Sequence, residues 1–290
     1  MDAARNSRCY HFHDMTTAFP QHAASRLGWS ILLCAGLTGP AAAERSGWSA
    51  ADQSQMRLLL SPGATRATLA GGIEIVLEPE WYTYWRNPGE AGVPPQFDFS
   101  GSQNLASVEV LYPAPERHDD GTSVSLIYRD EVVFPMIVTP VAPDRPVTLK
   151  VEAKFGVCRD LCIPTRAGAE VTLPLSPAPD PLADARLRRF QPRVPKAPEP
   201  GRFDVEAVTF VDEALLIDLR VPDSASADLF AEPPAGWYLG QPSLLSRQDG
   251  VSHYRLSLQG RPRDAAVVGQ SFRFVATAGG EAIEEVVVIR

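Results

Sequence analysis

The chain has 290 residues, a formal net charge of −8, 27 prolines and 44% hydrophobic residues. The acidic balance, with no run of Lys or Arg to follow a phosphate backbone, excludes nucleic acid as a partner. The longest apolar run of the later chain, Val286-Val287-Val288-Ile289, is strand-sized, so no stable membrane insertion is expected.

Leu27 to Ala43 reads as an export signal. Arg26 precedes the apolar stretch Ile31-Leu32-Leu33-Cys34-Ala35-Gly36-Leu37, and Ala41-Ala42-Ala43 supplies small residues for cleavage before Glu44. Residues 1–14 sit oddly ahead of such a signal, and Met15 is an alternative start to Met1. Leu33 is bulky where a lipid-attachment cysteine at Cys34 would want a small neighbour. Residues 1–43 are therefore expected to be removed, leaving a chain exported to the periplasm, where disulfides persist.

Past residue 44, short alternating or β-branched runs follow one another. They include Ile73-Glu74-Ile75-Val76-Leu77, Ser107-Val108-Glu109-Val110-Leu111, Glu131-Val132-Val133-Phe134, Val147-Thr148-Leu149-Lys150-Val151 and Glu170-Val171-Thr172-Leu173-Pro174-Leu175. Turn residues such as Asn87-Pro88-Gly89 and Asp119-Asp120-Gly121 separate them. Long helical periodicity is nearly absent, so the spacing predicts an all-β antiparallel sandwich over residues 44–176. Seven prolines between Ser176 and Gly201 predict a linker over 177–200, with one or two helical turns around Ala185–Phe190. Strand patterns resume at Phe203, Ala214, Ser252, Ser271 and Glu284, predicting a second, smaller β-sandwich over 201–290.

With the signal removed, Cys158 and Cys162 are the remaining cysteines. Four steps along an extended strand would part their Cα atoms by about 13 Å, and a disulfide tolerates about 7 Å. A bond between them therefore needs the chain to fold back through Arg159-Asp160-Leu161. Closing so small a loop stabilises a fold by only about 2 kcal/mol on the chain-entropy model, a poor staple. A reversible couple gains more, because the second sulfur waits beside the first to resolve a mixed disulfide. Spacing alone leaves a local structural disulfide, thiolate binding of copper(I) or zinc, and Cys–His nucleophilic catalysis as alternatives. His118, His253 and Met136 show no ligand spacing, and no His adjoins the pair in sequence. Trp81, Tyr82, Tyr84 and Trp85 read first as core, with a partner groove beside the cysteines as the other possibility. Trp237-Tyr238 reads likewise as core before contact surface, and Asp130 or Glu131 as turn residues that could tune proton transfer.

The stretches Ile127-Tyr128-Arg129-Asp130-Glu131-Val132-Val133-Phe134-Pro135 and Leu149 through Pro164, together with Trp81 through Gly89, resemble the N-terminal domain of the thiol:disulfide interchange protein DsbD family, in its ScsB-like form. The resemblance covers roughly residues 60–176. It implies an immunoglobulin-like sandwich with the redox pair at one end. It also implies that Cys162 bonds the partner and Cys158 resolves it, with no metal or organic cofactor. The implied donor is a separate membrane-embedded thiol protein. The implied acceptors are periplasmic thioredoxin-like proteins, including those of cytochrome c maturation, or disulfide isomerases, which makes the chain a protein-disulfide reductase component. His118, Asp119, Asp120, Tyr82, Tyr84 and Trp85 are the candidates for shielding the disulfide or binding the partner. The three-residue spacing follows the ScsB-like branch, and His118–Ser123, at the place of the family's cap loop, contains no Phe, Tyr or Trp. The competing reading is a non-redox periplasmic docking or assembly module whose disulfide is structural.

Overall fold

The computed structural model of the protein describes residues 45–62, 67–175, 180–222 and 226–290. The expected export segment, with Cys9 and Cys34, lies outside them. The first half builds β1 (Ser49–Ala51), β2 (Ser54–Pro62), β3 (Leu69–Leu77), β4 (Tyr82–Gly89), β5 (Gln96–Asp98), β6 (Leu105–Val110), β7 (Glu116–Asp119), β8 (Val124–Arg129), β9 (Glu131–Pro140), β10 (Val147–Cys158) and β11 (Cys162–Leu173). One sheet runs β1-β2-β3-β9-β6; the facing sheet runs β11-β10-β4-β8-β7, with β5 added beside β10. Alternate residues of each strand point inward, as the two-residue period requires. Leu58, Ile73 and Phe134 meet Leu149, Val151 and Phe155 in a shared core. The result is the expected immunoglobulin-like β-sandwich.

Asn87-Pro88-Gly89, read above as a turn, instead forms the irregular end of β4. Pro88 has no N–H to give the ladder, and the register with β8 slips between Tyr84 and Gly89, where Gly89 meets Ser125.

The proline-rich stretch holds α1 (Pro181–Phe190), longer than the one or two turns expected, followed by a 3-10 turn at Gln191–Arg193. Asp180 caps it by accepting from the N–H groups of Leu182 and Ala183, and Pro181 sits at the first turn, where a missing N–H costs nothing. Ala183, Leu187 and Phe190 share one face and bury it against Leu59 and Val133. Gly72 leaves the hole for Leu187: a Cβ there would meet the leucine methyl at 2.8 Å. Buried Glu74 pairs with Arg57 at 2.6 Å and with Arg186 of α1 at 2.9 Å, anchoring the helix electrostatically as well.

The second half builds β12 (Asp204–Val211), β13 (Ala214–Arg220), β14 (Ala227–Glu232), β15 (Ser243–Gln248), β16 (Val251–Ser257), β17 (Ser271–Ala278) and β18 (Glu281–Val288). A sheet ordered β12-β13-β16-β15 faces one ordered β14-β17-β18. Strand alternation makes the smaller sheet two-sided. Leu229, Ala231, Phe272 and Phe274 fill the second core, while Phe230 and its register partner Val275 join the core of the first sandwich. Phe230 packs on Trp85 at 6.2 Å between ring centroids. Around this contact Arg86 pairs with Glu232 at 2.6 Å and also with Glu284, and Arg117 pairs with Asp228 at 2.8 Å. The junction thus has an apolar centre and a rim of half-buried ion pairs.

Candidate functional site: a disulfide at the tip of a hairpin

β10 and β11 form an antiparallel hairpin that is continuous from Val147↔Leu173 to Cys158↔Cys162. The chain reverses through Arg159-Asp160-Leu161, bringing the two Cα atoms to 4.1 Å, and the sulfurs are bonded. On its other side Cys158 pairs with Tyr82 of β4, and Val157 with Thr83. That register decides which aromatics approach the sulfurs. Tyr82 and Tyr84 fall on the face of Cys158, whereas Thr83 and Trp85 fall on the opposite face with Val157.

Tyr84 completes the site. Its hydroxyl donates to Cys158 Sγ at 2.9 Å and lies 3.2 Å from Cys162 Sγ. The ring reaches there between two glycines. A Cβ on Gly156 would stand 3.1 Å from it, and one on Gly92, where φ is 129°, would stand 2.2 Å away. Burial, then the neighbouring Tyr82, pushes the Tyr84 phenol well above its ordinary range, so it keeps its proton and can donate to sulfur. Tyr82 packs edge-on to Tyr84 at 5.7 Å and against His118 at 5.0 Å. Arg129 meets His118 Nδ1 at 2.8 Å and extends over the Tyr82 ring.

The two sulfurs have different surroundings. Cys158 is fully buried in a cluster with Tyr82, Tyr84 and Ile127. Cys162 is exposed, next to Leu161, which is 68% exposed at the hairpin tip. Arg159 is engaged with Asp160 at 3.0 Å and Glu80 at 3.7 Å and stacks over Trp81.

Of the shielding candidates, Tyr82 and Tyr84 are gathered with Cys158, and His118 packs on the Tyr82 ring. Trp85 is placed in the sandwich core against Phe230. Asp119 and Asp120 serve their own turn: Gly121 N–H donates to Asp119, and Thr122 and Ser123 N–H groups donate to Asp120, each at 2.8 Å. The Ser123 and Thr122 donors hold the Asp120 carboxyl below the usual carboxylate range. Glu131 is tied to Arg186 and Arg189 of α1, away from the sulfurs. Sequence reasoning passed over Gly92, Val93 and Gly156, which wall Tyr84; the only local signal was glycine at places where a ring must pass. Among the described residues, no group of three or more His, Cys, Asp or Glu side chains is arranged to hold a metal ion. No helix among them is long and apolar enough to cross a membrane.

Residues 55–174 match the family described as thiol:disulfide interchange protein DsbD, N-terminal. The crystal structure of the N-terminal periplasmic domain of ScsB from Proteus mirabilis superposes with a TM-score of 0.68 at 23% identity, covering 85% of this chain and 98% of that one. Its extent shows that both sandwiches have counterparts in that fold. A marsupial T cell receptor aligns at 11% identity over 81% of this chain and 96% of its own, and its TM-score of 0.21 carries no argument. No curated protein matches the chain. The matched stretch contains β10 and β11 up to the last hairpin pairs, both tyrosines and both cysteines, so residues 55–174 form a domain of the DsbD N-terminal thiol:disulfide interchange family.

Proposed function

We propose that the protein is a periplasmic thiol–disulfide exchange module that carries electrons on Cys158 and Cys162. The observation that carries this reading is the asymmetry of the pair: Cys162 is an exposed residue at the hairpin tip and Cys158 is fully buried. In the reduced protein the Cys162 thiolate attacks a disulfide sulfur of the partner. A Cys162–partner bond forms, and the partner's other sulfur leaves as a thiolate and takes up a proton. The Cys158 thiolate then attacks Cys162 Sγ, restoring the internal disulfide and releasing the partner with two thiols. Two electrons have moved, with no cofactor involved. Tyr84 favours both halves of the cycle, since a protonated phenol stabilises a thiolate at Cys158 and polarises the disulfide when oxidised.

Recharging requires a dithiol donor, which we assign to a membrane-embedded thiol protein on a separate chain. The acceptors are thioredoxin-like proteins or disulfide isomerases of the periplasm. Equilibrating the protein in glutathione buffers and reading the reduced fraction by thiol alkylation tests the core of this. A reversible two-electron transition, accompanied by reduction of an added protein disulfide, is expected. A bond that stays closed at every glutathione poise would leave only a structural role for it.

A further inference from the structure

We infer that Arg86 is a positioning residue for exchange: by gripping two carboxylates of the second sandwich it fixes the stretch of β4 that sets the Tyr84 hydroxyl on the sulfurs. This rests on the exchange reading and gives the second sandwich a part in it.

β4 changes hands at Tyr84. Up to that residue its own sheet holds it. Tyr82 and Thr83 pair with Cys158 and Val157 of β10 on one side, and Tyr82, Thr83 and Tyr84 pair with Arg129, Tyr128 and Ile127 of β8 on the other. Among the described residues, Trp85 through Pro88 pair with neither strand, and the ladder with β8 resumes at Gly89. The second sandwich holds this stretch instead. Trp85 packs on Phe230 at 6.2 Å between ring centroids. Arg86 Nε and Nη2 donate to Glu232 Oε1 at 2.8 and 2.6 Å, and Nη2 donates to Glu284 as well. Asn87 Nδ2 donates to Ala231 O at 2.9 Å.

The grip is on a sheet and not on a loop. Phe230, Val275 and Glu284 are register partners in one row across β14, β17 and β18. Glu232 stands two residues beyond Phe230 on β14 and shares its face. Arg86 therefore spans the sheet from β14 to β18. Its guanidinium also lies over the rings of Trp85 at 4.8 Å and Tyr112 at 5.5 Å, which orders the long side chain. Two residues earlier, the Tyr84 hydroxyl acts only while it stays 2.9 and 3.2 Å from the sulfurs. A hydrogen bond weakens steeply as its geometry slips, and a working group must be held within about 0.5 Å of its place. Gly92 and Gly156 leave the Tyr84 ring its passage but have no side chains to hold it.

The test uses the reduced full chain carrying Cys9→Ser and Cys34→Ser, mixed with one equivalent of dithiobis(nitrobenzoate). Attack by Cys162 forms a Cys162–thionitrobenzoate disulfide and releases one thionitrobenzoate anion. Cys158 then attacks Cys162 Sγ, closes the internal disulfide and releases the second anion; both are read by colour. Tyr84→Phe should slow the second release about fivefold. Arg86→Gln should slow it about threefold and raise the pH at which the reduced pair forms thiolate. In the Tyr84→Phe background Arg86→Gln should change neither readout. Such a double-mutant cycle separates action through Tyr84 from a direct effect of the Arg86 charge on a thiolate. Glu232→Gln leaves Arg86 its bond to Glu284 and serves where Arg86→Gln fails to fold. It should slow the second release about twofold, again only when Tyr84 keeps its hydroxyl. Unchanged release and unchanged thiolate formation in the junction variants, however far their melting temperatures fall, would overturn the proposal. So would slowing that multiplies with that of Tyr84→Phe. Release of a single thionitrobenzoate per reagent, with the other left on the protein, would instead strike the exchange reading itself.

Discussion

The disulfide hairpin of the first sandwich and the hairpins of the second close by different chemistry. In the second sandwich, β12–β13 turns at Asp212-Glu213, β15–β16 at Asp249-Gly250 and β17–β18 at Gly279-Gly280, and both residues of each pair have positive φ. Those are the two-residue turns whose twist matches that of paired strands. The β10–β11 hairpin of the first sandwich instead reverses over three residues, none of them at positive φ, and carries the disulfide across its last register pair. The second-sandwich hairpins hold their ladders with no covalent link. The β10–β11 ladder is longer than any of them, so it does not need one either. That comparison supports the proposal that the disulfide is surplus to the fold and serves exchange chemistry.

The sharpest way to break that comparison is to remove the sulfurs. Cys162→Ser should lower exchange with a protein disulfide by at least about a thousandfold, and Cys158→Ser should stall at the mixed disulfide. Either variant should lose no more than about 2 kcal/mol of stability in urea unfolding, the loop-closure contribution of so short a ring. A much larger loss would make the bond a staple. The converse test strikes a turn of the second sandwich. Gly280→Val places a β-branched residue at φ of 85° and should cost about 1–2 kcal/mol, while Leu161→Ala at the redox tip should cost under about 0.5 kcal/mol.

Tyr84→Phe sharpens the account of the site. It removes the hydroxyl from both sulfurs and should slow attack by Cys162 and release by Cys158 about fivefold, near 1 kcal/mol for a lost hydrogen bond. It should also raise the pH at which the reduced pair forms thiolate, measurable by the pH dependence of alkylation. The smallest effect expected is alkaline. Burial raises the phenols of Tyr84 and Tyr128, so between the unfolded value of about 10 and the higher folded values the native state holds more protons than the unfolded one. Stability is therefore fully present below about pH 10 and falls as pH rises beyond it. Tyr128→Phe, which gives up the bond to Pro113 O, should make that fall shallower.

Sequence periodicity was enough to read the strands, the change of composition near residue 176 and the need for the chain to reverse between the cysteines, because each depends on neighbours in the chain. Tyr82, Tyr84 and Trp85 group together in the sequence as shielding candidates, although strand alternation puts Trp85 on the face opposite the two tyrosines. Which face meets the sulfurs depends on the register of β4 against β10, which sets Tyr82 opposite Cys158 and so brings the Tyr84 hydroxyl to a sulfur far along the chain. Nothing local encodes it. The docking of α1 was hidden for the same reason, since the Leu187 pocket exists only because Gly72 lies on a distant strand. Arg86 and Arg117 draw no reading from the sequence, because their carboxylate partners stand on β14 and β18, far along the chain. The Trp237-Tyr238 pair divides its roles, one ring in the core and the other in solvent, because the turn before it reverses through Gly236 at φ of 82°.

The central claim is that a visiting thiol compound meets the sulfur at 162 and not the one at 158. Incubating the reduced Cys158→Ser and Cys162→Ser variants with glutathione disulfide, and following the added glutathione mass with time, measures this directly. The lone Cys162 should be modified at least about a hundredfold faster than the lone Cys158. Equal rates, or faster modification at Cys158, would contradict the account.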